Sequence, residues 1–140
     1  MTFEEAYAFT RTTSNSAAYE EEALYGLWVA LINLPPHAVV VEVGVEHGRS
    51  TSLILQAAKD KAFTVHLIEP RPSVAFLAMA QVLGCGFSLH AMPTSSNPLL
   101  PGQIDLLHID GDHSADGIGV DCAYLLNRVG PRGYACFHDY

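Results

Sequence analysis

Four short segments of this 140-residue chain carry the residue types that chemistry needs. The first is Glu42-Val-Gly44-Val-Glu-His-Gly48-Arg-Ser50. Gly44 allows a tight turn and a close backbone approach to a ligand, and Gly48 does the same where a helix begins. Ser50 places a hydroxyl and an N–H near the positive end of that helix, suited to a carboxylate or phosphate. The spacing is not Gly-x-Gly-x-x-Gly, and no Gly-Lys-Ser/Thr follows, so a standard dinucleotide fingerprint and a P-loop are both absent. The second segment is Glu69, 25 positions after Gly44. In a nucleotide-binding βαβ unit an acid there accepts hydrogen bonds from both ribose hydroxyls. Alone, Glu69 would read as a solvated loop residue. The third is His108-Ile-Asp110-Gly-Asp112-His113-Ser114. Asp110, at a strand end, is the better candidate for a cleft, and His108, inside the strand, reads as packing in or beside the core. The fourth is His138-Asp139. Asp110 and Asp139 on neighbouring strand ends would repel unless a cation or a proton lies between them. Oxygen ligands with one nitrogen suit Mg2+, Mn2+ or Ca2+, and His138 adds some preference for Mn2+, Fe2+ or Zn2+. The bland alternative is that Asp139 caps a following element and His138 packs.

These segments need a scaffold that brings them together. The pattern from Phe3 to about Leu34 is helical, interrupted at Ser14-Asn-Ser16, which offers an N-cap, and stopped by Pro35-Pro36. Ala38 to Val43 is a β-branched run typical of a strand covered on both faces. Helices are expected from Ser50 to about Lys59, after a Ser73 cap as far as Gly84, and from a Ser114 cap to about Arg128. Strands are expected at Phe63–Ile68, weakly at Gly86–Ala91, at Ile104–Ile109 and at Gly133–Phe137. Strands alternating with helices imply an α/β fold, a doubly wound, mostly parallel sheet of about five strands behind N-terminal helices. The expected division is residues 1–35 as a helical segment and 36–140 as a Rossmann-like domain. Ligands of such sheets bind beyond the carboxyl ends of the strands. Glu42, Glu69, Asp110 and His138-Asp139 lie at or near four such ends.

Composition narrows the partners. Apolar residues make up 49% of the chain, enough to bury a core, and the net charge of −8 argues against nucleic acid and against a polybasic membrane contact. No apolar stretch approaches a membrane span, and Met1-Thr-Phe-Glu-Glu lacks a basic leader, so a cytoplasmic protein is expected. Cys85, Cys122 and Cys136, widely spaced, read as buried free thiols in a reducing compartment. Phe3, Tyr7, Tyr19, Tyr25 and Trp28 read as helix core ahead of pocket lining.

Taken together, the Glu-x-Gly-x-x-x-Gly-x-Ser turn, the strand-ending acid, Ile-Asp-Gly-Asp-His-Ser and the closing Gly-Pro-Arg-Gly-Tyr-Ala-Cys-Phe-His-Asp-Tyr resemble a class I S-adenosylmethionine-dependent methyltransferase. They are most similar to the small-molecule O-methyltransferases of the methyltransferase 24 group, over about Pro36 to Tyr140. The resemblance implies that Glu42, Gly44, Gly48 and Ser50 hold the methionine part of S-adenosylmethionine, with Glu69 on the ribose. It implies Asp110 at the cofactor and as a ligand, with Asp139, of Mg2+ or another divalent cation. His138 stands where many relatives have a carboxylate. His113 matches the proposed general base, and the acceptor would be a small hydroxylated metabolite. The region His90 to Asn97 lacks the acid that would mark adenine contacts. The full fold has seven strands, so the C-terminal hairpin is missing here and an open strand edge leads to an expectation of dimerisation. A cofactor-binding module working with a partner is the first alternative, and an NAD-linked oxidoreductase, disfavoured by the glycine spacing, is the second.

Overall fold

The computed structural model describes residues 1–13, 21–111 and 114–138. Two helices, α1 (Phe3–Thr13) and α2 (Glu21–Asn33), precede an alternation of strands and helices. These are β1 (Val39–Val43), α3 (Arg49–Lys61), β2 (Thr64–Ile68), α4 (Val74–Leu83), β3 (Ser88–His90), β4 (Ile104–Ile109), α5 (Ala115–Leu125) and β5 (Val129–Phe137). The sheet order is β3-β2-β1-β4-β5. Every pairing is parallel. Such a sheet must be covered on both faces, and the cores show it. Val40, Val65, Leu67 and Leu106 pack with α1 to α4, and Val41, Val43, Ile68, Leu107 and Ile109 pack with Leu125 of α5. The N-terminal helices share the first core through Phe3, Tyr7, Leu27, Trp28 and Leu31. Tyr25 departs from the expected core set. It is 53% exposed, with its ring edge-on to that of Phe3 and the centroids 5.1 Å apart. Tyr19 and the expected cap at Ser14–Ser16 lie outside the described residues.

Helix ends follow their sequence signals. Ser73 Oγ accepts from Phe76 N at 3.1 Å and Ser114 Oγ from Gly117 N at 3.0 Å, and Gly84 closes α4 in the left-handed region. Lys61 Nζ donates to Ile32 O and Leu34 O at the end of α2, where the helix dipole favours a cation. The last strand begins earlier than expected. Val129 already pairs with Ile104, and by the next pair, Leu106 with Tyr134, β4 has advanced two positions and β5 five. Gly130 to Gly133 therefore form an extended bulge, the arrangement in which Pro131 is tolerated. Among the described residues β5 has one strand neighbour, and Tyr134 and Phe137 are 40% and 41% exposed. No described helix is long and apolar enough to cross a membrane.

Candidate functional site

The ladder of the sheet continues one residue past its strands. Glu69 N donates to His90 O at 3.1 Å, Gly44 N to Ile68 O at 2.9 Å, Asp110 N to Val43 O at 2.8 Å and His138 N to Ile109 O at 3.1 Å. Glu69, Gly44, Asp110 and His138 thus stand side by side along the carboxyl edge. A cavity of about 700 Å³ opens over this edge, lined by Gly44, Glu69 and Asp110 from three strands. Glu46, Arg71, Thr94 and Asp121 are among the other polar residues of its wall. Carboxylates outnumber cationic groups on that wall, which favours a positively charged ligand.

Backbone geometry explains the glycine at 44. It has φ +82°, and an added Cβ would lie 2.2 Å from Asp110 O. The turn is pressed against the end of β4, leaving the other side open to the cavity. Glu69 fixes the same turn from β2. Its Oε2 accepts from Val45 N at 3.0 Å and Glu46 N at 3.3 Å, while its Oε1 accepts from Arg71 N at 2.8 Å. Glu46 holds φ +48°, an unfavourable setting for a side-chain-bearing residue that these bonds maintain. Ser73 Oγ also donates to Glu46 O at 2.8 Å, tying the turn to α4.

Glu42, Gly48 and Ser50, assigned to the cofactor from the sequence, lie behind the cavity wall. Glu42 faces inward from β1 with no exposed surface, and it accepts from Ser50 Oγ and Thr51 Oγ1, each at 2.5 Å. Gly48, at φ +83°, backs onto α4, where an added Cβ would meet Met79 Cε at 2.7 Å. His108 is buried as expected, but it also lies 3.0 Å from Glu42 Oε1 through Nδ1. Asp110 and His138 occupy adjacent strand ends. His113 and Asp139, with Asp112, lie outside the described residues.

Two wall residues carry no signal in the spacing. Thr94 sits in a 3-10 turn, 3% exposed, and its Oγ1 has no hydrogen-bond partner. A hydroxyl in a Pro-Thr-Ser-Ser loop is ordinary in sequence, and only its burial makes it notable. Asp121 of α5 is 6% exposed and reaches toward Gly111, where an added Cβ would lie 3.2 Å from Asp121 Oδ2. An acid between Val120 and Cys122 was the available sign. Cys85, Cys122 and Cys136 are unpaired and half-buried, and burial pushes the Cys85 and Cys136 thiols up.

A methyltransferase domain family, methyltransferase 24, matches residues 41–140. The chain belongs to this family. No curated protein matches this methyltransferase-domain chain. Solved structures share its fold. Methyltransferase PaMTH1 of Podospora anserina, bound to S-adenosylhomocysteine, has a TM-score of 0.65 at 18% identity, covering 95% of this chain and 59% of that one. The 1,6-didemethyltoxoflavin-N1-methyltransferase of Burkholderia thailandensis, with 1,6-didemethyltoxoflavin and S-adenosylhomocysteine, gives 0.64 at 22% identity, covering 95% and 57%. The mitomycin 7-O-methyltransferase MmcR gives 0.52 at 16% identity, covering 96% and 42%. The chain therefore spans about half the length of these structures.

Proposed function

We propose that this methyltransferase domain binds S-adenosylmethionine and transfers its methyl group to a hydroxyl of a small metabolite. The observation that carries the reading is that Gly44, Glu69 and Asp110 meet in one cavity, in a chain of this family. The bound S-adenosylhomocysteine of two neighbours supports the cofactor, and the cavity residues fit it. When bound, S-adenosylmethionine supplies a sulfonium methyl group for in-line displacement. Glu69 has acceptor capacity left on Oε1 for a ribose hydroxyl. Gly44 leaves its backbone open to the amino-acid end, and Thr94 Oγ1 gains from the base the partner it lacks. The acidic wall suits the positive sulfonium. His113, three positions after Asp110 in the sequence, is the proposed base for the acceptor proton, since histidine is the side chain suited to proton transfer near neutral pH.

Among the described residues no group of three or more His, Cys, Asp or Glu side chains could hold a metal ion. Asp110 and His138 alone do not make a metal centre, so no step here runs through one. Metal assistance, with Asp139 as the third ligand, is a separable part of the proposal that chelation addresses. Oxygen as the acceptor atom rests on the sequence resemblance, since the neighbours include both an N-methyltransferase and an O-methyltransferase. The unpaired thiols fit a reducing, cytoplasmic setting.

The test is transfer of labelled methyl from S-adenosylmethionine to a panel of catechols, sugars and hydroxylated metabolites, with and without Mg2+ and a chelator. Transfer that His113→Ala abolishes while S-adenosylhomocysteine binding survives is the expected result. Binding without transfer to any acceptor would favour a cofactor-binding module that works with a partner.

A further inference from the structure

Beneath the Gly44–Gly48 turn lies a polar cluster that never reaches the cavity. Glu42 Oε1 accepts from Ser50 Oγ at 2.5 Å and lies 3.0 Å from His108 Nδ1, while Glu42 Oε2 accepts from Thr51 Oγ1 at 2.5 Å. Glu42 is 0% and His108 4% exposed. Glu42 precedes the turn and Ser50 and Thr51 follow it, so one carboxylate joins both its ends. His108, paired with Glu42 in the ladder and two residues before Asp110, ties them to β4.

Such a cluster is a costly way to fill a core. A buried carboxylate is tolerated only when donors satisfy it, and apolar groups of similar volume often serve stability equally well. Three donors from α3 and β4 meet one carboxylate of β1 in only one relative placement of these elements. The turn between them has no slack, because Gly44 already abuts Asp110 O. The cluster therefore specifies the shape of the turn more than it adds stability.

We propose that His108 is a positioning residue: acting through Glu42, it holds the Gly44–Gly48 turn in the shape that receives the amino-acid end of the cofactor. The proposal rests on the S-adenosylmethionine reading above. It predicts an effect confined to one part of the ligand. S-adenosylhomocysteine carries the amino-acid end, whereas 5′-methylthioadenosine keeps the nucleoside and thioether without it.

Both ligands are titrated calorimetrically onto the full chain, as wild type and as His108→Leu, His108→Asn and Thr51→Val. His108→Leu is expected to bind S-adenosylhomocysteine about tenfold more weakly, equivalent to about 1.4 kcal/mol, with 5′-methylthioadenosine changed less than about twofold. Asn keeps a side-chain N–H near the Nδ1 position, so His108→Asn should restore most of the affinity. Thr51→Val, which removes a different donor, should repeat the selective loss even if His108→Leu does not fold. Equal weakening of both ligands, or no weakening of either, would overturn the positioning role while the cofactor reading stands. Wild type binding neither ligand would overturn both.

Discussion

At the residue scale, Gly44 and Thr94 make opposite demands on the chain. Gly44 has no room for a side chain, because its left-handed φ and the Asp110 carbonyl exclude a Cβ together. Gly44→Ala should lower stability by about 2 kcal/mol or more, from left-handed strain of about 1–2 kcal/mol plus the clash. Chemical denaturation would measure this, and a change below about 0.5 kcal/mol would mean that the turn has more slack than its geometry shows. Thr94 is the reverse case. A buried hydroxyl without a partner costs free energy in the unliganded protein, on the order of 1 kcal/mol. Thr94→Val should therefore raise the melting temperature while weakening S-adenosylhomocysteine binding. Thermal melts and calorimetry on the same samples separate the two, and a variant that melts higher with unchanged affinity would remove Thr94 from the ligand site. Gly44 was legible in the sequence because its neighbours on either side, a β-branched run and a helical pattern, required a turn there. Thr94 was not, since an unsatisfied hydroxyl exists only in three dimensions.

At the element scale, the strands and helices follow patterns that depend on few neighbours. The β-branched run at Val39–Val43 and the caps at Ser73 and Ser114 form where local chemistry placed them. β5 starts earlier than its sequence suggests, since Gly130-Pro131 reads as a stop signal and only pairing with Ile104 turns it into a bulged strand. Pairing also explains a histidine contact that no motif announced. His66 of β2 and His90 of β3 sit with Nδ1 and Nε2 3.0 Å apart and ring planes 19° apart, an end-on hydrogen bond between imidazoles. Burial, and then the neighbouring His90, hold the His66 pKa below its ordinary 6.5. Above that value both folded and unfolded chains leave His66 neutral. As pH falls below it, the unfolded chain takes the proton first, so stability declines until the pH passes the folded value and then levels off. Urea unfolding at about pH 7.5 and about pH 5.5 should show this loss, and a smaller one in His66→Asn. An identical pH dependence in the variant would mean that the folded pair accepts a proton without penalty.

At the scale of the whole molecule, the site depends on where the strands end. Alternating elements fix a parallel sheet, and a parallel sheet wound from its middle places its crevice over β1 and β4. Glu69, Gly44 and Asp110 lie far apart in sequence and line one cavity. That convergence was legible because strand-end position can be counted along the chain. The depth of each residue is not legible in this way: Glu42, Gly48 and Ser50, which the resemblance places at the methionine part of the cofactor, lie behind the cavity wall. Asp121 is hidden in the sequence for the same reason, since it enters the wall only through the packing of α5 against the sheet. Whether this crevice holds a sulfonium nucleoside with its ribose on Glu69 is decided by calorimetric titration. S-adenosylhomocysteine and NAD are each added to the wild type and to Glu69→Ala. Saturable binding of S-adenosylhomocysteine is expected, at least about tenfold weaker in Glu69→Ala, with NAD bound far more weakly than either. Equal affinity of wild type and Glu69→Ala for S-adenosylhomocysteine, or a preference for NAD, would contradict it.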